Sequence, residues 1–215
     1  LGYEKPLLDA PLAQKMGKAA PAEAFDAYAV TGYFGGVLGK ADRREVVQDW
    51  LDESLARAEA GAAALDLTGQ AARDHVQAHR FDHATTLAAR ELRDGALGGD
   101  PVDTLADLAL RVWPYHAAVA QAHDLDLVMY EGGSHVVGLG PLVDDAELTA
   151  FFHHLNYSAE MGALYSTLLE NWRAVGGQLF NAYVDVFAPV KWGSWGARRH
   201  LGDENPRWEA LVEFE

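Results

Sequence analysis

Glu131 closes a short apolar run, Leu125-Asp126-Leu127-Val128-Met129-Tyr130, and is followed by Gly132, Gly133, Ser134 and His135. This reads as a buried strand delivering an acid to an irregular loop, with two glycines free to take unusual backbone angles beside it. A carboxylate so placed can act as nucleophile, general acid or general base. His135 is spaced to hydrogen-bond a ligand hydroxyl or to orient Glu131; its plainer alternative is a loop histidine bonded to a backbone carbonyl. On this stretch alone a solvated Glu at an ordinary strand-to-loop turn is the stronger reading, and it is other segments that shift the balance.

Two other apolar runs end in residues of the same kind. Phe25–Phe34 reads as a strand that carries Tyr33 and Phe34 into Gly35-Gly36, and Gln178–Phe187 as a strand that runs into Lys191-Trp192-Gly193-Ser194-Trp195-Gly196. An indole face suits the C–H face of a sugar ring, although tryptophans are as often plain core. Asp185 alternates with Asn181 and Tyr183 along the last of these strands and is the candidate for a second carboxylate. His75, His79 and His83 repeat every four residues beside Asp82, a spacing whose adjacent pairs suit a metal. Three successive turns span about 12 Å, so one ion cannot take all three, and the Glu of an HExxH site is absent. An exposed polar face is the expectation there, with no metal. Asn156-Tyr157-Ser158 fits a glycosylation sequon, a motif frequent by chance.

Helices must position these strand ends. From Asp42 to Ala64 the apolar residues Val46, Val47, Trp50, Leu51, Leu55 and Ala58 fall at helical spacing, with Asp42 as candidate N-cap and Glu45 three residues on. A second helix is expected over Gln70–Leu92, and a third after Pro101, capped by Asp103 or Thr104 and kinked at Pro114. A short helix near Asp144–Leu155 follows the Glu131 loop, then one capped by Ser158, and a last one over Pro206–Phe214. Strands separated by helices argue for an α/β fold with a parallel sheet, whose functional groups gather at the strands' carboxyl ends. The helical segment between the first two strands far exceeds an ordinary crossover and is a candidate lid or substrate-side elaboration.

Composition limits the chemistry further. At 215 residues and 49% hydrophobic, the chain can bury a full core, and its formal charge of −15 argues against a nucleic-acid surface. Neutral or cationic ligands are easier to accommodate. Without a cysteine there is no disulfide, thiolate nucleophile or Cys-based zinc site. No apolar run approaches the roughly 20 residues of a membrane helix.

Taken together, Tyr130-Glu131-Gly132-Gly133-Ser134-His135 and Lys191-Trp192-Gly193-Ser194-Trp195-Gly196 resemble the C-terminal half of clan A (β/α)8-barrel glycoside hydrolases. The resemblance is especially to bacterial barrel proteins bearing a Tyr-Glu-Gly-Gly-x-His segment. The resemblance implies the last three or so parallel strand–helix units of a TIM-type barrel, with 1–215 as the C-terminal part of the barrel domain and 42–100 as a helical insert within it. It implies retaining hydrolysis of O-glycosidic bonds in a poly- or oligosaccharide, without a cofactor. Residue by residue, Glu131 matches the nucleophile, Tyr33 the aromatic beside it, and Trp192 or Trp195 the sugar platform, with His135 a further substrate contact. The clan's acid/base Glu, usually in an Asn-Glu pair, is expected before the Tyr33 strand, where no such pair occurs. Retention needs two carboxyl groups about 5–5.5 Å apart, so Glu131 alone does not make a glycosidase. The alternative is a non-catalytic carbohydrate-binding or structural barrel fragment. The expected partners are carbohydrate, together with a missing barrel half or a second copy covering exposed sheet; neither nucleic acid nor membrane is expected. A secreted or periplasmic setting goes with the resemblance.

Overall fold

Three parallel strands form the centre: β1 (Ala27–Phe34), β2 (Asp126–Ser134) and β3 (Leu179–Ala182), in the order β1-β2-β3. The structure, a computed structural model, describes residues 2, 4–10 and 14–214. A short helix α1 (Glu4–Asp9) precedes β1, and α2 (Arg44–Ala64), α3 (Gly69–His79) and α4 (Asp82–Asp94) follow it. A helical run over 105–122 ends in α5 (Trp113–Ala122) and leads into β2. Helices α6 (Ala146–Asn156) and α7 (Ala159–Ala174) separate β2 from β3, and α8 (Pro206–Phe214) closes the chain. The protein is thus α/β with a parallel sheet, as the alternation of elements requires.

The helices form where apolar residues recur on one face. On α2 the buried positions are Val47, Leu51, Ser54, Ala58 and Ala62, a single stripe. On α7 they include Met161, Leu164, Tyr165, Leu168, Leu169 and Trp172, behind a Ser158 cap whose hydroxyl accepts the Met161 N–H. Asp145 caps α6 in the same way at Leu148. These faces share one core, centred on the edge-to-face pair Trp113 and Trp172, with ring centroids 5.4 Å apart.

Among the described residues, only one face of the sheet is covered by helices. Val30, Met129 and Phe180 lie in register across the strands and belong to the helix-covered core. The next row, Ala29, Val128 and Leu179, faces the other way, and Leu179 is 57% exposed there, with Tyr130 at 53% close by. Parallel sheets are ordinarily covered on both faces, so this bare side is incomplete as a core.

The sequence places the end of the second strand at Glu131, but β2 continues through Gly132 and Gly133 to Ser134. Val30 pairs with Met129 and Thr31 with Glu131, leaving Tyr130 as the extra residue of a β-bulge. Two glycines do not end the strand because β1 continues to pair with it from Gly32 to Phe34. On the covered face the Met129 side chain lies across Gly32 and Gly132, where an added Cβ would come within 2.2 and 2.4 Å of it.

Other boundaries move for identifiable reasons. The strand expected over Gln178–Phe187 stops at Ala182, because Val184 donates instead to the Trp195 carbonyl and Phe187 to that of Arg198. Asp42 does not cap α2; a 3-10 turn over Ala41–Arg43 precedes the helix, and the Arg43 N–H bonds the Lys40 carbonyl. The single helix expected over Gln70–Leu92 breaks at Arg80-Phe81, which turns Phe81 inward onto Phe151 at 5.6 Å. Before Pro114 the helix widens to a π-helical stretch over Leu108–Val112, which takes up the mismatch left by the proline's missing N–H. Asn156 of the sequon is buried, its amide bonding the Phe152 carbonyl and the Ser134 hydroxyl, so the folded chain does not offer it for glycosylation.

Candidate functional site

The bare face carries a cluster at the carboxyl ends of its strands. Alternation along β1 sets Thr31 and Tyr33 on that face, and the bulge at Tyr130 brings Glu131 level with Thr31. Glu131 is half-buried and hydrogen-bonded by the Tyr33 hydroxyl. Burial first, then the charge of Glu131 and the neighbouring Tyr183, hold the Tyr33 phenol well above its ordinary pKa. It therefore stays protonated, a donor to Glu131, across the physiological range.

Three more rings gather beside this pair. His135 stacks on Trp195, centroids 5.3 Å apart and planes 25° from parallel. Tyr33 lies 6.1 Å from His135 and meets Trp195 edge-on at 6.4 Å; Tyr183 meets Tyr33 at 6.5 Å and Trp195 at 6.0 Å. The His135 N–H donates to the Phe34 carbonyl, which prolongs the β1–β2 ladder by one residue and fixes where the imidazole starts. Tyr183 and Trp195 are brought together by the bonds between Val184 and Trp195, with Ala197 donating back to Val184 at 2.7 Å. Spacing along the chain gives no sign that Tyr183 joins the cluster, because it depends on where β3 stops.

The β1–β2 connection contributes Asp103, a further carboxylate at the edge of the cluster. Its main-chain angle is left-handed, φ 66°, and its carbonyl accepts the Gly35 N–H at 2.9 Å. A Cβ on Gly36 would lie 2.9 Å from His135 Nδ1 and 3.0 Å from Asp103 Oδ2, so only glycine leaves room for both groups. Burial raises the Asp103 carboxyl above its ordinary pKa, against the Val37 N–H, Lys40 and His135, which act to lower it. From the sequence Asp103 reads as one of two candidate helix caps; Thr104 is the cap, and Asp103 is left to face the site.

The remaining candidates make no hydrogen bond or ring contact with this cluster among the described residues. Trp192 is 61% exposed beneath the Lys191 ammonium, which sits 4.8 Å over its ring and pairs with Asp144. Asp185 is exposed in the segment beyond β3, where its carbonyl accepts the Arg198 N–H, so it does not share a strand face with Asn181. The histidine stripe is divided by the Arg80-Phe81 break: His75 and His79 pack ring to ring at 4.4 Å, His79 bonds Asp82, and His83 turns to Glu53. Among the described residues no group of three or more histidines and carboxylates is arranged to hold a metal ion. Cavities of about 510 and 570 Å³ lie elsewhere, one beside the start of β2 and one between α2 and α3, and neither touches the cluster.

No family model, curated protein or solved structure matches the chain. The functional reading therefore rests on what the cluster can do. A half-buried carboxylate with a phenolic donor can attack carbon or bind a cation, an indole and two phenol rings can stack on a flat apolar ring face, and an imidazole can bond a hydroxyl. No helix among the described residues is long and apolar enough to cross a membrane.

Proposed function

We propose that the Glu131 cluster is part of the active site of a retaining O-glycoside hydrolase acting on a poly- or oligosaccharide, and that 1–215 is the C-terminal part of its (β/α)8 barrel, with 42–100 a helical insert in it. Glu131 is the nucleophile, Tyr33 the donor that holds it, Trp195 the platform for the sugar ring and His135 a partner for a hydroxyl. The observation that carries this reading is the meeting of Tyr33 with both Glu131 and Trp195, from β1, β2 and the segment beyond β3, on the uncovered face of a parallel sheet. The exposed Trp192 has at most an outer role in sugar binding.

The bare row Ala29, Val128 and Leu179 supports the barrel reading, since in a closed barrel such residues fill the interior. On this proposal further strands of the barrel, or a second copy of the chain, cover it, and one of those strands brings the acid/base carboxyl to Glu131. A non-catalytic carbohydrate-binding fragment is the second reading. It is favoured by two facts: the groups held against Glu131 are aromatic, and Asp185 lies off the strand that would have brought it near.

Glu131→Gln separates the two. Assayed on aryl glycosides with the longest natural form of the chain, the variant loses turnover by several orders of magnitude while binding oligosaccharide if Glu131 is the nucleophile. Unchanged turnover removes the assignment, and binding without turnover in the parent protein as well favours the second reading.

A further inference from the structure

Arg207, at the start of α8, is buried to 1% exposure without a carboxylate in ion-pair reach among the described residues. A buried guanidinium so placed carries a large desolvation cost, and its hydrogen bonds tell what it does in return. Nη1 donates to the Ser194 carbonyl at 2.9 Å and lies 3.4 Å from the Ser134 hydroxyl, and Nη2 donates to the Gly196 carbonyl. Ser194 and Gly196 flank Trp195, and Ser134 ends β2 three residues after Glu131. The guanidinium sits 4.6 Å from the ring centre of Tyr157, whose hydroxyl also donates to Gly196, and 5.7 Å from that of Tyr165, whose oxygen accepts the Ser134 N–H.

We infer that Arg207 is the positioning residue of the candidate site, a clamp that ties both carbonyls beside Trp195 to the end of β2 and so holds the indole stacked on His135 within reach of Glu131. The planar fork is what the role needs, because two carbonyls and a hydroxyl are engaged at once. A lysine ammonium at the end of a flexible stem cannot span them. The last helix, which contributes nothing to the sheet, is in this view the element that sets one wall of the site.

The part of the test that uses sugars rests on the glycosidase reading; the clamp itself does not. Arg207→Lys keeps the charge and loses the fork, and Arg207→Met keeps the packing between the two tyrosines and loses both. In the ligand-free full chain, nuclear Overhauser contacts between the Trp195 indole and the His135 ring are expected to be lost or weakened several-fold in both variants. Those between Trp113 and Trp172, in the core, are expected to persist. Calorimetric titration with cellopentaose and with xylopentaose is expected to show affinity reduced tenfold or more. Retained Trp195–His135 contacts in either variant overturn the inference, as does their loss together with the core contacts in both, or their loss without a change in sugar affinity. If the parent protein binds neither sugar, the ring contacts alone decide the role of Arg207.

Discussion

Replacing Gly133 with alanine puts two separate costs on one methyl group. The residue has φ 141°, a region side chains avoid, which costs roughly 1–3 kcal/mol. The new Cβ would also stand 2.6 Å from the Tyr165 hydroxyl oxygen. That phenol is buried and accepts the Ser134 N–H at 3.0 Å, so it cannot swing aside without breaking the bond that anchors the end of β2. Overpacking of this kind costs about 1–3 kcal/mol more. For a chain of this length each kcal/mol lowers the melting temperature by roughly 2–4 °C, so a fall of about 5–20 °C is expected in calorimetry. Gly140→Ala is the control, since Gly140 has φ 57° with nothing within 4 Å of an added Cβ. It carries only the conformational cost, about 1–2 kcal/mol. Equal melting temperatures for the two variants would refute the packing of Tyr165 against the Glu-Gly-Gly segment of β2.

Tyr33→Phe removes the donor to Glu131; hydrogen bonds to charged groups are worth roughly 1.5–3 kcal/mol, so kcat/KM on aryl glycosides is expected to fall about 10- to 150-fold, and an unchanged value contradicts the pairing. Trp195→Ala is expected to weaken oligosaccharide binding about tenfold and Trp192→Ala less than about twofold, measured by calorimetry, because only Trp195 is built into the cluster. The Arg199 hydrogen bonds hold the Asp203 carboxyl well below its ordinary pKa, so its contribution to stability is present above the unfolded value and lost as pH falls below about 4. Asp203→Asn is expected to flatten the acid limb of melting temperature against pH. Burial raises Asp103, which has the opposite sign: its contribution is present in acid and lost as pH rises, so Asp103→Asn is expected to gain stability, relative to the parent, toward neutral pH.

The parallel sheet and its helices are legible in the sequence because β1, the first half of β2 and the stripes of α2 and α7 are written in apolar spacing. What the sequence hides follows from pairing at a distance. Gly132 and Gly133 look like a strand end by propensity, but partners on β1 keep them in the ladder. Tyr183 to Phe187 continue an apolar alternation, but while the Tyr183 N–H still bonds the Gly132 carbonyl of β2, those of Val184 and Phe187 turn to Trp195 and Arg198, and that departure brings Trp195 to Tyr183 and the other rings. No glycine or proline marks the break at Arg80-Phe81; it is fixed by Phe81 packing on Phe151. Of the candidate residues, Glu131, Tyr33, His135 and Trp195 are brought together, while Asp185 and Trp192 make no hydrogen bond or ring contact with them among the described residues. Asp103 escapes notice because it sits where a helix cap is expected, and Arg207 because an arginine in the first turn of an amphipathic helix carries no sign of burial.

The most direct test of the account is covalent trapping of the nucleophile. The longest natural form of the protein is incubated with activated 2-deoxy-2-fluoro glycosides of the gluco, manno and xylo series, and its peptides are mapped by mass spectrometry. The account predicts a glycosyl adduct on the peptide containing Glu131, absent from Glu131→Gln. An adduct on another carboxylate, Asp185 or Asp103 included, or turnover of the parent glycosides with no adduct at Glu131, would contradict it.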